Sequence, residues 1–124
     1  MKQDELIDVG KYIEAFNTAT SQSLPCGTIY QSKGLYKHIL KRHPNEIENI
    51  KYVPEIISQP DFIGQNSKEN NSVELVKRIE GNVQVCIKLD TDERHLYVAS
   101  VYTISNSKLQ NRINSGRLKI FVDK

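Results

Sequence analysis

The strongest constraint on this chain lies at residues 83–104. Val83, Val85, Ile87 and Leu89 alternate with Gln84, Cys86 and Lys88, the period of a strand with one buried face. Glu80-Gly81-Asn82 in front of it reads as a hairpin turn from an earlier strand over Val73–Ile79. Asp90-Thr91-Asp92-Glu93 behind it reads as the next turn, leading into Leu96–Ile104, which is rich in β-branched and aromatic residues. Leu118–Val122 supplies a last strand. The C-terminal half must therefore build an antiparallel meander. Simple alternation puts Ser100 and Tyr102 on one face with Leu96, Val98 and Ile104.

The N-terminal half reads differently. Leu6, Ile7, Val9, Tyr12, Ile13 and Phe16 fit an amphipathic helix over Asp4–Phe16, despite Gly10. Asn17–Pro25 is a Ser/Thr-rich loop, and Thr28-Ile29-Tyr30 a short strand. Gly34–Pro44 is a helix whose buried side is marked by Leu35, Ile39 and Leu40. Ile47, Ile50, Val53 and Ile57 keep a helical interval through Pro54. Gln59-Pro60-Asp61 ends it, Phe62-Ile63-Gly64 is a brief extended piece, and Gln65–Ser72 is an exposed loop. Ser105–Gly116 permits a short helix. Helices first and a meander last give an α+β class.

The 124 residues suffice for one domain, 1–124, with 1–26 as an N-terminal helix and loop and 27–122 as the core. The net charge of +2 is small, so its distribution carries the information. Lys37, Lys41 and Arg42 lie in a stretch without acidic residues, and Lys108, Arg112, Arg117, Lys119 and Lys124 crowd the C-terminus against Asp123. Together they mark one phosphate-attracting face. Cys26 and Cys86 belong to no metal-ligand spacing and read as two small buried thiols. The acidic N-terminus lacks the apolar run of a signal peptide, and no stretch has the length of a membrane span. The expected place of action is the cytoplasm.

Two of the three histidines, His38 and His43, sit on the cationic helix. Five residues apart, they do not share a face as the i, i+4 pair of zinc helices does, so no metal or other cofactor is expected. No GxxxxGK[ST] or GxSxG signature appears either. Cleavage of RNA asks less of a protein. The ribose 2′-hydroxyl is the nucleophile, so the protein need only move two protons and stabilise extra charge on phosphorus. Imidazoles suit the proton work, and guanidinium or ammonium groups suit the charge. Hydroxyls orient the phosphate. The chain offers His38 and His43, Arg42 and Lys88, then Ser100, Tyr102 and Thr103. Lys37, Lys41 and Lys119 are candidates for holding more of the RNA. His95, just after a turn, is read as facing solvent.

The run Gly34–Pro44, followed by Ile56–Ile63, Val83–Lys88, Leu96–Tyr102 and Leu118–Ile120, resembles the phage-type branch of the Barnase–EndoU–Colicin–RelE (BECR) nuclease fold. The resemblance implies N-terminal helices packed on a four-stranded antiparallel sheet with its cleft on the open face. It also implies a metal-independent endoribonuclease that leaves a 2′,3′-cyclic phosphate and is deployed as a toxin in bacterial conflict, with tRNA or other structured RNA as target and an immunity or antitoxin protein as partner. By position, His43 and His38 match the family's helix histidines, Arg42 its basic neighbour, and Ser100 and Tyr102 its strand Ser/Thr-x-Tyr pair; Lys88 is carried with them. There is no strand Glu–Arg–His set of the barnase kind, since Glu93 and Arg94 fall in a turn, so which histidine is acid and which base stays open. The alternative is a non-catalytic protein of a phage or mobile element that binds RNA or a host protein.

Overall fold

A computed structural model describes residues 6–42 and 44–122. Among the described residues the elements are β1 (Leu6–Tyr12), α1 (Glu14–Thr20), β2 (Gly27–Ser32), α2 (Lys33–Arg42), a 3₁₀ helix (Pro44–Tyr52), α3 (Val53–Ser58), β3 (Phe62–Gly64), β4 (Ser72–Arg78), β5 (Asn82–Asp90), β6 (His95–Ile104), α4 (Asn106–Asn114) and β7 (Leu118–Ile120). The class is α+β, but the expected four-stranded antiparallel sheet under N-terminal helices is wrong. The sheet has seven strands in the order β1-β2-β6-β5-β4-β3-β7. It is mixed: β2 and β6 run parallel through Ile29↔Leu96 and Tyr30↔Tyr97, while the other neighbours are antiparallel.

The first element is a strand where a helix is expected. A bulge between Asp8 and Gly10 shifts the phase of β1, so Val9 and Tyr12, three residues apart, both turn inward. That spacing imitates a helix. Gly10 makes the bulge workable, since at φ 151° a Cβ there would lie 2.7 Å from Ile57 Cγ2. Helix α1 starts only at Glu14 and packs Phe16 edge-on against Tyr12, with ring centroids 5.2 Å apart. Residues 6–12 therefore belong to the sheet, paired antiparallel with β2.

The main core lies between the sheet and α1–α3, around Ile29, Leu35, Ile39, Ile56, Leu75, Val85 and Ile87. On α2 the buried pair is Leu35 and Ile39; Leu40, expected inside, is 50% exposed. Pro44 cannot continue an α-helical ladder, and the chain beyond it tightens into the 3₁₀ helix. On the opposite face α4 covers a smaller cluster of Phe62, Val76, Ile104, Leu109 and Leu118. Ser105 caps α4 by accepting from the Lys108 backbone N–H.

A second bulge decides which way the strand hydroxyls face. Cys86 pairs with Ser100 and Ile87 with Val98, so Ala99 is the extra residue of β6. Leu96, Val98 and Val101 enter the main core, whereas Ile104, with Tyr102 packed against it, joins the smaller cluster under α4. Ser100 and Tyr102 thus do not share a face with Leu96 and Val98. Neither cysteine behaves as a fully buried thiol: Cys26 is exposed and Cys86 half-buried. His95 does not face solvent freely but stands between Tyr30 and Tyr97. At Gly64 a Cβ would meet the Arg117 carbonyl oxygen at 1.7 Å, so β3 and β7 approach too closely for any side chain. No helix among the described residues is long and apolar enough to cross a membrane.

Candidate active site

Strand β2 pairs with β6 only as far as Tyr97 and then gives way to α2. The outer half of β6 is therefore an edge, and bare strand edges need cover. Here the 3₁₀ helix supplies it. Glu46 Oε1 accepts hydrogen bonds from the Thr103 backbone N–H at 3.1 Å, the Thr103 hydroxyl at 2.9 Å and the Asn49 amide at 2.6 Å. Three donors fix one carboxylate oxygen, and Oε2 has no partner among the described residues.

Between this edge and α2 lies a cavity of about 420 Å³, lined by His38, Glu46, Ser100, Tyr102, Thr103 and neighbouring apolar groups. Four of the residues singled out in the sequence, His38, Ser100, Tyr102 and Thr103, are brought together there. Glu46 is the member that sequence reasoning missed, because the stretch around it reads only as an isoleucine-spaced helix.

A polar network backs the cavity across the sheet. Tyr102 faces Gln84 in register on β5, and Gln84 in turn faces Val76 on β4. The Gln84 amide, with no exposure to solvent, donates to the Tyr102 hydroxyl at 2.8 Å and to Glu74 Oε2 at 3.3 Å. Its oxygen accepts from Arg112 Nη1 at 2.5 Å. Arg117 grips Glu74 through two bonds of 2.9 and 2.6 Å. The orientation of the amide is forced: a guanidinium only donates, so Arg112 must face Oε1, and a carboxylate only accepts, so Glu74 must face Nε2. Tyr102 is consequently an acceptor toward Gln84, and its own hydrogen has no acceptor among the described residues. Glu74 and Gln84 carried a signal in the sequence, as polar residues alternating with buried aliphatics, but nothing local tied them to Arg112 or Arg117.

The other candidates stand elsewhere. Lys88 lies on the β5 face that carries Gln84 and Cys86, outside the cavity lining, with Nζ 2.7 Å from Glu69 Oε1; that bond holds the ammonium pKa above its ordinary value. The Cys86 thiol beside it is pushed up to about 11, first by burial and then by the charge of Glu74. Lys37, Lys41 and Arg42 are exposed on α2. Lys119 is exposed on β7, four strands from β6, roughly 19 Å across the sheet. His43 lies outside the described residues.

Comparison with curated proteins gives no match, nor does comparison with solved structures. Residues 7–111 match the family model described as phage-Barnase-EndoU-ColicinE5/D-RelE like nuclease3. The match takes in β1 through most of α4, including every residue that lines the cavity, and stops just short of Arg112 and Arg117. By that match the chain belongs to this family of phage-type BECR nucleases.

Proposed function

We propose that the chain is a metal-independent endoribonuclease that cleaves by attack of a ribose 2′-hydroxyl on the adjacent phosphate, leaving a 2′,3′-cyclic phosphate. The observation that supports this reading most is the meeting of an imidazole, an anchored carboxylate and three hydroxyl residues around one cavity: His38, Glu46, Ser100, Tyr102 and Thr103. The reaction requires one proton to leave the 2′-oxygen and one to reach the departing 5′-oxygen. His38 and Glu46 are the groups that exchange them. The Tyr102 hydroxyl, free to donate, and Ser100 hold the phosphate. Arg42 adds positive charge from α2, whereas Lys88 lies outside the cavity with its ammonium held by Glu69. His43, next in sequence after Arg42, is a second imidazole for the proton work. Lys37, Lys41 and Lys119 attract the rest of the RNA from a distance. A structured RNA such as tRNA is the proposed target in the cytoplasm of a host or competitor cell, and a neutralising partner would be an acidic protein that covers the cavity mouth.

Purified protein incubated with total RNA in EDTA is expected to cut it and leave cyclic-phosphate ends. RNA that stays intact, both in EDTA and with divalent metal added, rules the enzyme out and leaves a binding protein.

The network behind Tyr102 gives a sharper expectation. Gln84→Glu keeps the shape but removes the N–H, so Tyr102 must donate inward and loses its outward hydrogen. Cleavage should fall by about tenfold to a hundredfold, the worth of one hydrogen bond to a charged group. Tyr102→Phe should match it, and the double variant should be no slower than Tyr102→Phe alone. Additive losses in that cycle would separate Gln84 from the function of Tyr102.

A further inference from the structure

We propose that the cavity at the starts of β2 and β6 is a second subsite that takes one nucleotide of a single-stranded RNA; RNA as the ligand rests on the endoribonuclease reading above. This cavity, about 250 Å³, is lined by Thr28, Tyr30, Arg94 and His95, with Cys26 and Pro25 at its rim. Its rings are already set. The His95 ring stands 5.8 Å from Tyr30 at 85° and 6.2 Å from Tyr97 at 66°, so three aromatic side chains brace one another in series. Tyr30 and Tyr97 are register neighbours on β2 and β6, and both alternate with residues of the main core, Ile29 and Leu96. The rings therefore occupy the sheet surface that faces away from that core.

Positive charge stands beside them. Arg94 closes the β5–β6 turn with φ 61° and its N–H 2.7 Å from the Asp90 carbonyl, and its exposed guanidinium has no carboxylate partner among the described residues. Lys11 Nζ reaches Thr28 Oγ1 at 2.6 Å and brings a second cation to the rim. Of the carboxylates nearby, Asp8 lies 3.7 Å from Lys11, and Glu14 accepts from Cys26 Sγ at 3.6 Å. Asp90, opposite His95, accepts from the Asp92 and Glu93 backbone N–H groups, while the Asp92 and Glu93 side chains stand exposed in the turn before Arg94. Rings with a free guanidinium suit a base and its phosphate, because bases stack on aromatic faces and guanidinium groups pair with phosphate oxygens.

The subsite and the catalytic cavity share one strand. From His95 the same surface of β6 runs past Tyr97 to Ser100, five residues or on the order of 16 Å away. A dinucleotide filling the catalytic cavity does not reach Tyr30, whereas an oligonucleotide laid along β6 touches both.

The test uses a fluorescent 2′-O-methyl octanucleotide, which has no free 2′-hydroxyl and cannot be cut, read by anisotropy against the full chain. Tyr30→Ala and Arg94→Asn are each expected to raise its Kd about fivefold or more, and Tyr30→Phe to restore binding because the ring remains. Cleavage of a dinucleotide should be unchanged in all three variants. An octanucleotide Kd that does not move in Tyr30→Ala and Arg94→Asn overturns the proposal, as does an equal loss of dinucleotide cleavage. Because the probe is uncleavable, a protein that binds it through Tyr30 yet cuts no RNA would keep this subsite and refute only the catalytic reading.

Discussion

Replacing His38 with alanine is expected to slow RNA cleavage by roughly 10²–10⁴-fold, the usual contribution of a positioned general acid or base. The same change should leave folding stability within about 0.5 kcal/mol. His38 lies on the exposed side of α2, between the buried positions Leu35 and Ile39, so its removal opens no cavity in the core. The two readouts together make the test. A rate that survives His38→Ala with the fold intact would remove the imidazole from the proton transfer and leave that work to Glu46 and His43. A loss of rate together with a loss of fold would not count for catalysis, and a circular-dichroism melt separates the two. Glu46→Gln should also lower the rate, but it disturbs the cover over the β6 edge because Glu46 Oε1 is what Thr103 and Asn49 hold. His38 is therefore the cleaner probe.

Arg117→Ala is expected to destabilise the protein by about 3–5 kcal/mol, the usual consequence of stripping the partner from a buried charge. Glu74 is only 3% exposed and takes both bonds from Arg117. Without the guanidinium it keeps one long contact to Gln84 and the desolvation cost of a carboxylate. A domain of this size is stable by about 5–15 kcal/mol in all, so the variant should unfold at far lower urea. Replacing both partners, Glu74→Leu with Arg117→Met, should recover much of the loss, because apolar side chains of similar bulk leave no stranded charge. If Arg117→Ala melts like the parent, the pair is not a structural strut.

The sequence was most legible where alternation was clean. Strands β4, β5 and β2 and helix α2 lie where the pattern of Val73–Ile79, Val83–Leu89, Thr28–Tyr30 and Gly34–Pro44 puts them. It misled at the two bulges. In β1 an extra residue near Val9 produced helical spacing from an extended chain, and in β6 Ala99 reversed the faces of Ser100 and Tyr102 relative to Leu96. A period-two argument has no means of seeing an inserted residue, since the pairing partner that reveals it lies on another strand. The strand at β1 was missed because it looked helical. Strands β3 and β7 lie where extended pieces were read at Phe62–Gly64 and Leu118–Val122, but nothing local showed that they join β1 and β2 in one seven-stranded sheet. The sequence argument named His38 and the β6 hydroxyl residues that line the cavity, along with Lys88, which does not, and it did not name Glu46. Its bond to Thr103 joins residues 57 positions apart, and that of Arg117 to Glu74 joins residues 43 apart. Such pairings are set by topology, and only the folded sheet reveals them.

Gly64 has a mechanical consequence. In the ladder it is flanked by Glu74 on one side and Leu118 on the other, so three strands line up at one level and the middle one presents only a hydrogen atom. The arm of Arg117 reaches over that gap to clasp a carboxylate two strands inward. The outermost strand is thus lashed to the interior of the sheet as well as zipped to its immediate neighbour, and a methyl group at position 64 would wedge the lashing open from beneath.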